Sequence, residues 1–448
     1  MKAIDRTDCV CVVGAGSSGL AAAKNLLDLD MPVEVFERED DLGGNWNYGK
    51  PNSRVYRSTH TISSKRGTEY TDFPMPAHFP DFPHHSQIMQ YLRDYAAHFG
   101  LHRVIRFQRG IERIEPHRAG QAWDVPFPDG EVRRYGAVII ANGHNWSPKW
   151  PEYPGRFAGT AMHSAQYKTP DIMAGKRVLV VGAGNSGCDI AVESAQNAAR
   201  TFHSTRRGYH YIPKFLLGRP TDHMHDELHR LGLPLALRRW IIKLIMKIAV
   251  GSPRRFKLPR PDHKLFETHP IVNSLLVYYL GHGDIVPKPD IKLLDGDTVE
   301  FSDGSREVID LIIHATGYNI VFPFIDNEWL NWHDGRPRLF KNVFHPQFDN
   351  LLVAGLIQPD SGQFGLVDWQ MKAAALFLRA RRDNAPAADY LCQLKKDWHE
   401  DLGAGIRYKE SSRHLVQVEH WSYRQGLEKL VHRMRSLQAG SQVLRQAA

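Results

Sequence analysis

One device occurs twice in this chain, and it constrains the fold more than anything else. An apolar run, "VCVV", breaks into Gly14, Gly16 and Gly19 and turns into the helix-like "LAAAKNLL". Far downstream "VLVV" breaks into Gly182, Gly184 and Gly187 and turns into "CDIAVESA". A G-x-G-x-x-G between a buried strand and a helix is a dinucleotide loop. Its first glycine makes the turn, its second lets backbone approach a pyrophosphate, and its third lets helix and strand pack closely. The pattern predicts an α/β chain with two Rossmann-like dinucleotide-binding domains.

The two copies differ where the ligand is chosen. After the first loop, "VEVFERED" brings an acid, Glu37, about 20 residues on, where a carboxylate accepts from a ribose hydroxyl and repels a 2′-phosphate. That site suits FAD or NAD. After the second loop, "RTFHSTRRG" ends on Ser204, Thr205, Arg206 and Arg207 instead. Arginine pairs with phosphate through two parallel hydrogen bonds, so this site suits NADP. The residues therefore point to a flavin nucleotide on one loop and, on the other, the NADPH that reduces it.

At 448 residues the chain is long enough for about three domains. We expect a discontinuous FAD-binding domain, residues 1–160 and 311–448 with C-terminal helices. The NADP-binding domain, 161–310, is inserted into it and carries a helical insertion at about 213–285. The strand "VIDLIIHATGYN" is assigned back to the first domain. No run of about 18 apolar residues is present, so no membrane-spanning helix is expected. The first strand begins within ten residues of Met1, which leaves no room for a signal peptide. The four cysteines, Cys9, Cys11, Cys188 and Cys392, read as reduced packing residues of a cytoplasmic protein, and no C-x-x-C is present for thiol redox chemistry.

The net charge of +8 is dispersed, and no nucleic-acid reader motif accompanies it. The exception is "ALRRWIIKLIMKIAV", 236–250, where Arg239, Lys243 and Lys247 fall on one helical face. Such a helix permits a peripheral membrane contact. Packing on its own domain or on a second subunit is the favoured reading, and a homo-oligomer is compatible with it. His225 and His229 stand at i, i+4 in "HMHDELH", but no third ligand accompanies them, so no metal site is expected. His84 and His85 read as loop residues ahead of a helix. No G-x-S-x-G elbow for acyl transfer occurs.

Between the two expected domains stands "FAGTAMHSAQYK", with Phe157, Gly159, His163, Ser164 and Tyr167 at F-x-G-x-x-x-H-S-x-x-Y spacing. This resembles the fingerprint of the flavin-containing monooxygenases, NADPH-dependent single-component flavoproteins that oxygenate soft nitrogen and sulfur. The related Baeyer–Villiger enzymes usually end it in tryptophan. "GGNW" at 43–46, "DFPMP" at 72–76, "ATGYN" at 315–319 and "GLIQPDSGQFGLVDWQ" fit the same family, over about residues 8–375. The resemblance implies a small-molecule substrate, O₂, and a C4a-(hydro)peroxyflavin whose terminal oxygen goes to the substrate.

It also implies a set of site residues. The flavin would be held by Gly14, Gly16, Ser18, Gly19, Glu37, Gly44, Asn45, Trp46, Ile62, Ile111, Gln358 and Gln370. NADP would be held by Gly182, Gly184, Asn185, Ser186, Gly187, Ser204, Arg206 and Arg207. His163 is the fingerprint histidine, a candidate for the catalytic set. Many members carry an asparagine three residues before the lysine of the segment leading to D-F-P. With Lys65 as that lysine, Ile62 stands in the asparagine's place. The departure bears on substrate class more than on reaction type, because plant auxin-forming relatives also lack the asparagine. Baeyer–Villiger oxygenation of a ketone, and an NADPH-linked flavin reductase or oxidase releasing peroxide, remain the alternatives. A non-catalytic nucleotide sensor fits two complete loops poorly.

Overall fold

The computed structural model describes residues 3–249, 251 and 253–446. The chain divides into two compact units: residues 1–53, 65–144 and 320–448 form one, and 54–64 with 145–319 form the other.

The first unit is built on a mixed sheet. Its opening strand, Ile4–Val13, pairs in parallel with Val33–Phe36 on one side and Val132–Ile140 on the other. Val10, Cys11, Val12 and Val13 are buried because the sheet is covered on both faces, and a strand so placed reads as continuously apolar. The helix Ser17–Leu27 follows the first strand at once. The long helix Phe364–Arg382 is apolar nearly all round, and Leu366, Val367, Met371, Ala374 and Phe377 are each at most 1 % exposed. It packs with Leu20, Ala21 and Leu26 in one core. Cys9, Cys11, Trp123 and Tyr135 belong to a second core on which Ile111 packs.

The second unit has a five-stranded sheet with every neighbouring pair parallel. In spatial order its strands are Ile285–Lys288, Arg200–Ser204, Arg177–Val181, Leu311–His314 and Thr160–His163. Helix Asn185–Asn197 follows the glycine loop. Helices Thr221–Arg230, Leu235–Ala249 and Leu276–His282 lie within the stretch expected to be a helical insertion. Val250, the last residue of the basic stretch, lies outside the described residues.

Three assignments differ from expectation. Residues 145–160 were expected in the first domain and belong to the second unit. Leu311–His314 was expected in the first domain. Its register with both Val178–Val181 and Thr160–His163 puts it in the second sheet, since a buried parallel strand must satisfy its backbone on both sides. Residues 54–64 were also expected in the first domain but belong to the second unit. No local periodicity marks a segment held by side-chain hydrogen bonds. Among the described residues no helix is long and apolar enough to cross a membrane, and no group of three or more His, Cys, Asp or Glu is placed to hold a metal. None of the four cysteines forms a disulfide.

Candidate dinucleotide and oxygenation site

The first loop is built as its glycines require. Gly14 has φ +96°, left-handed backbone closed to most side chains. A Cβ at Gly19 would lie 1.8 Å from the Gly14 carbonyl oxygen, so the third glycine is what lets helix and strand meet. Gly16 is different. Its φ is −72°, and a Cβ there would find nothing nearer than the Cα of Gly44 at 3.8 Å. Nothing within the protein demands glycine at position 16. The helix it caps has no side-chain cap and no acid in its first turn, with Ser18 half-buried there. A glycine with room beside an uncapped helix start is an anion cradle, and FAD's pyrophosphate fits it.

Glu37 is 6 % exposed. Its Oε2 accepts from Ala15 N at 2.7 Å and its Oε1 from Glu39 N at 3.0 Å. Burial raises its pKa against the opposing pull of those two N–H groups. The expected ribose acceptor is thus also the strut that holds the glycine loop. Gly44, Asn45 and Trp46 form one 3-10 turn, half-buried, tied back through Gly43 N to Ala15 O at 3.0 Å. The Trp46 ring stands edge-on to Phe364, 6.4 Å between centroids. Gln358 is half-buried in a short strand, with its N–H on Val416 O at 2.7 Å.

Gln370 does not present itself as a ligand contact. It is wholly buried, its Oε1 accepts from Gly355 N at 3.0 Å, and its Nε2 donates to the Tyr423 hydroxyl at 2.7 Å. It shapes the loop before the helix rather than reaching out of it. Gln363 does the same work at the helix start, donating to the Gly355 carbonyl at 3.0 Å.

The second loop repeats the geometry. Gly182 has φ +113°, and a Cβ at Gly187 would lie 2.0 Å from the Gly182 carbonyl oxygen. Gly184 caps the helix in extended backbone with no side-chain cap, and Ser186 is exposed in its first turn. Arg206 is exposed and Arg207 half-buried just past the end of their strand. Neither has an ion-pair partner among the described residues. Burial and the Asp290 charge push the Tyr153 phenol up to about 12, and the nearby Arg206 charge opposes them. Two arginines without an ion-pair partner fit a 2′-phosphate.

Two residues expected on NADP are committed elsewhere. Asn185 accepts from Val272 N at 2.7 Å and donates to Pro270 O at 3.1 Å, tying a distant loop to the helix start. Ser204, 1 % exposed, donates to Pro289 O at 2.7 Å.

The fingerprint stretch is scaffold. A Cβ at Gly159 would lie 2.8 Å from Asp310 O, so glycine is required there. Asp310 is held by Arg177 through Nε at 2.9 Å and Nη2 at 2.6 Å, and that pairing brings its carboxyl to about 2. Ser164 N donates to His314 O at 2.9 Å. His163 has no exposed surface, and its Nδ1 accepts from Ala165 N at 3.1 Å. Burial pulls its pKa down to about 4, so its ring is neutral at pH 7. His163 and His314 are register partners at the ends of adjacent strands. The half-exposed Trp150 ring lies 5.6 Å from each.

The segment that bears Ile62 is strapped onto the second unit. Arg54 Nη2 donates to Trp146 O at 2.9 Å, Ser58 to Glu193 at 3.1 Å, and Ser64 N to Asp222 at 2.7 Å. Tyr56 donates to Asp189 at 3.2 Å, and Lys214 Nζ to Thr61 O at 3.1 Å. The fingerprint's Tyr167 joins in, donating to the same Glu193 oxygen at 2.6 Å. Withdrawal from water raises Asp189 and lowers Lys214, each opposed by the other's charge. Ile62 itself is half-buried. Sequence reasoning missed Tyr56, Asp189 and Lys214 altogether. No short motif links positions so far apart. His84, by contrast, is the cap of helix His85–His98, its Nδ1 accepting from Ser86 N at 3.3 Å.

The profile of the family described as flavin-binding monooxygenase-like matches residues 7–438. Flavin-containing monooxygenase 5 of Oryctolagus cuniculus is 31% identical over 442 residues, covering 92% of this chain and 80% of that protein. The N-oxide-forming dimethylaniline monooxygenase 2 of Rattus norvegicus is 35% identical over 388 residues, covering 82% of this chain and 72% of the relative. Among solved structures, an open crystal structure of cyclohexanone monooxygenase superposes with a TM-score of 0.72 at 18% identity, covering 98% of each chain.

Proposed function

Because the chain belongs to the flavin-binding monooxygenase-like family and is an FAD-dependent, NADPH-using monooxygenase, we propose that it oxygenates a small molecule at a soft nitrogen or sulfur centre. The observation that carries this reading is the pairing of unlike nucleotide sites. One has a buried acid behind its loop, and the other ends in two arginines without an ion-pair partner among the described residues. Bound FAD supplies the activation of O₂ and the transfer of one oxygen atom, with electrons from NADPH.

The chain's own residues bind and orient. Gly16 gives the flavin nucleotide's pyrophosphate its approach to the helix start, and Glu37 receives the ribose while bracing Ala15 N. Gly184 and the start of helix Asn185–Asn197 receive the second pyrophosphate, and Arg206 and Arg207 the 2′-phosphate. His163 stays neutral and holds the strand ends in place, with no proton to give at pH 7. Ile62 offers no hydrogen bond where many relatives have an amide, so exclusion of water carries more of the burden of protecting the reactive flavin. The relative named for N-oxide formation supports nitrogen over ketone oxygenation. The four cysteines, none of them in a disulfide, suit the reducing cytoplasm.

The test is product analysis. The flavin-loaded protein is supplied with NADPH and O₂ and offered N,N-dimethylaniline, methyl p-tolyl sulfide or cyclohexanone in turn. An N-oxide or sulfoxide formed in step with NADPH consumed is the expected result. Lactone alone would move the reading to Baeyer–Villiger chemistry, and peroxide alone with every substrate would make the protein an oxidase.

A further inference from the structure

A cavity of about 170 Å³ lies in the helical insertion of the second unit. We propose that it is a binding site for a small anionic amphiphile: a carboxylate on a short aliphatic chain or a single ring. None of the residues lining it belongs to the glycine loop at 182–187 or to the arginine pair. The inference therefore stands apart from the oxygenase reading.

The chemistry of the lining selects the ligand. Met246, Phe256, Leu258, Leu265 and Val277 supply most of the wall. Leu258 and Leu265 are 4 % and 3 % exposed, so this wall belongs to the packed interior of the insertion. An engineered cavity of roughly 150 Å³ with comparable lining stays dry and takes benzene. The volume therefore suits six to eight carbons of apolar body.

The remaining lining residues give the ligand its sign. Lys243 and Lys247 line the same cavity one helical turn apart on Leu235–Ala249. Both are exposed, and neither has a hydrogen-bond or ion-pair partner among the described residues. Glu267, the acid that acts on His210 together with Lys243, already holds Arg239 at 3.4 Å. His210, also in the lining, contacts His263 O through Nε2 at 3.1 Å, and burial keeps its ring neutral. An apolar hole with two unneutralised ammonium groups at its wall matches a molecule with an apolar tail and one negative end. A neutral hydrocarbon would leave the ammonium groups unused, and a cation would be repelled by them.

A second surface bears on the test. Leu237, Trp240, Leu244 and Ile248 on the same helix are 42 %, 61 %, 44 % and 79 % exposed. This stripe next to two lysines would also suit an anionic lipid bilayer. The two occupants separate experimentally, because a cavity ligand binds as a free monomer and a bilayer surface does not need the cavity.

The probe is octanoate below its micelle concentration, titrated calorimetrically into the FAD-loaded protein with NADP⁺ present. Octan-1-ol and octylamine are the neutral and cationic controls. One octanoate per chain is expected, with octan-1-ol several-fold weaker and octylamine not bound. Lys243→Gln with Lys247→Gln should weaken octanoate about tenfold and leave octan-1-ol unchanged, since both lysines are exposed and their loss costs no packing. Leu265→Trp fills the cavity and should abolish both, with the flavin spectrum and melting temperature of the lysine variant as the folding reference. Octanoate binding that survives both sets of substitutions overturns the proposal. So does the absence of binding at millimolar octanoate. Capture by phosphatidylglycerol vesicles without any monomer binding overturns it as well, and makes the helix a membrane surface instead.

Discussion

Position 16 shows how a single residue can be understood only by what is meant to lie beside it. Gly14 and Gly19 are explained by the chain's own backbone, but the space next to Gly16 is open to a Cβ. Gly16→Ala should therefore still fold, losing at most about 1 kcal/mol because alanine ranks below glycine at a cap, and should lose FAD retention. Flavin absorbance per chain after gel filtration checks this, with thermal melting alongside. Full flavin occupancy in Gly16→Ala would remove the cradle from the argument. The arginine pair is the counterpart in the second unit. A charge-assisted contact to phosphate contributes about 1.5–3 kcal/mol. Because Arg206 is exposed, solvent screening puts the expectation at the low end. Arg206→Ala with Arg207→Ala should cost about tenfold in kcat/KM for NADPH and leave NADH turnover nearly intact. An equal loss with both coenzymes would mean the pair is structural.

At the scale of elements, the strap at 54–64 is held by side chains of helix Asn185–Asn197, by Lys214 and by Asp222. Asp189 accepts from Tyr56 and, at 2.6 Å, from Asn273 Nδ2. Replacing it by alanine strands both donors, at about 1–3 kcal/mol. The effect should be local: amide exchange in 54–64 should speed up while Val178–Val181 stays protected. Unchanged exchange across 54–64 would show that the strap is held by other means. Tyr167→Phe should do the same more weakly, losing about 1 kcal/mol in urea unfolding. This element also shows where the sequence stops being legible. Both glycine loops, their strands and helices, and the placement of Glu37 and of the arginine pair could be read directly, because each depends on neighbours within about 30 residues. The strap could not, nor could the placement of Leu311–His314, because both are decided by partners more than a hundred residues away. Asn185, Ser204 and Gln370 were legible as positions but not as roles. A polar side chain in a cofactor motif reads alike whether it faces a ligand or a backbone carbonyl, and here each faces its own chain. The fingerprint shows the same ambiguity: its glycine, histidine and tyrosine fix strands and strap.

Across the whole molecule, buried neutral imidazoles set the response to acid. His144 and His345 in the first unit, and His163 and His314 in the second, are each lowered to about 4, burial being the largest cause in every case. His203 and His210 are lowered for the same reason. An unfolded histidine titrates near 6.5. Between the two values the unfolded chain binds protons that the folded chain refuses, so stability rises with pH in that window. The contribution is complete above about pH 6.5 and is lost as the pH falls towards 4. For a wholly buried ring such as His163 the loss approaches roughly 3 kcal/mol, at 1.36 kcal/mol per unit. Burial raises Glu37, Glu69, Asp189 and Asp226, and these pull the other way. A raised carboxyl stabilises the fold as it takes up its proton, and so offsets part of the histidine effect. The six lowered imidazoles outnumber these four carboxyls and set the sign of the slope. The melting temperature should fall steadily from pH 7 to 5, with both units softening, and His163→Asn should flatten part of that slope while lowering the plateau at pH 7. A melting temperature independent of pH between 7 and 5 would mean that these rings are hydrated or charged in the folded protein, and would take with it the neutral His163 on which the scaffold role rests.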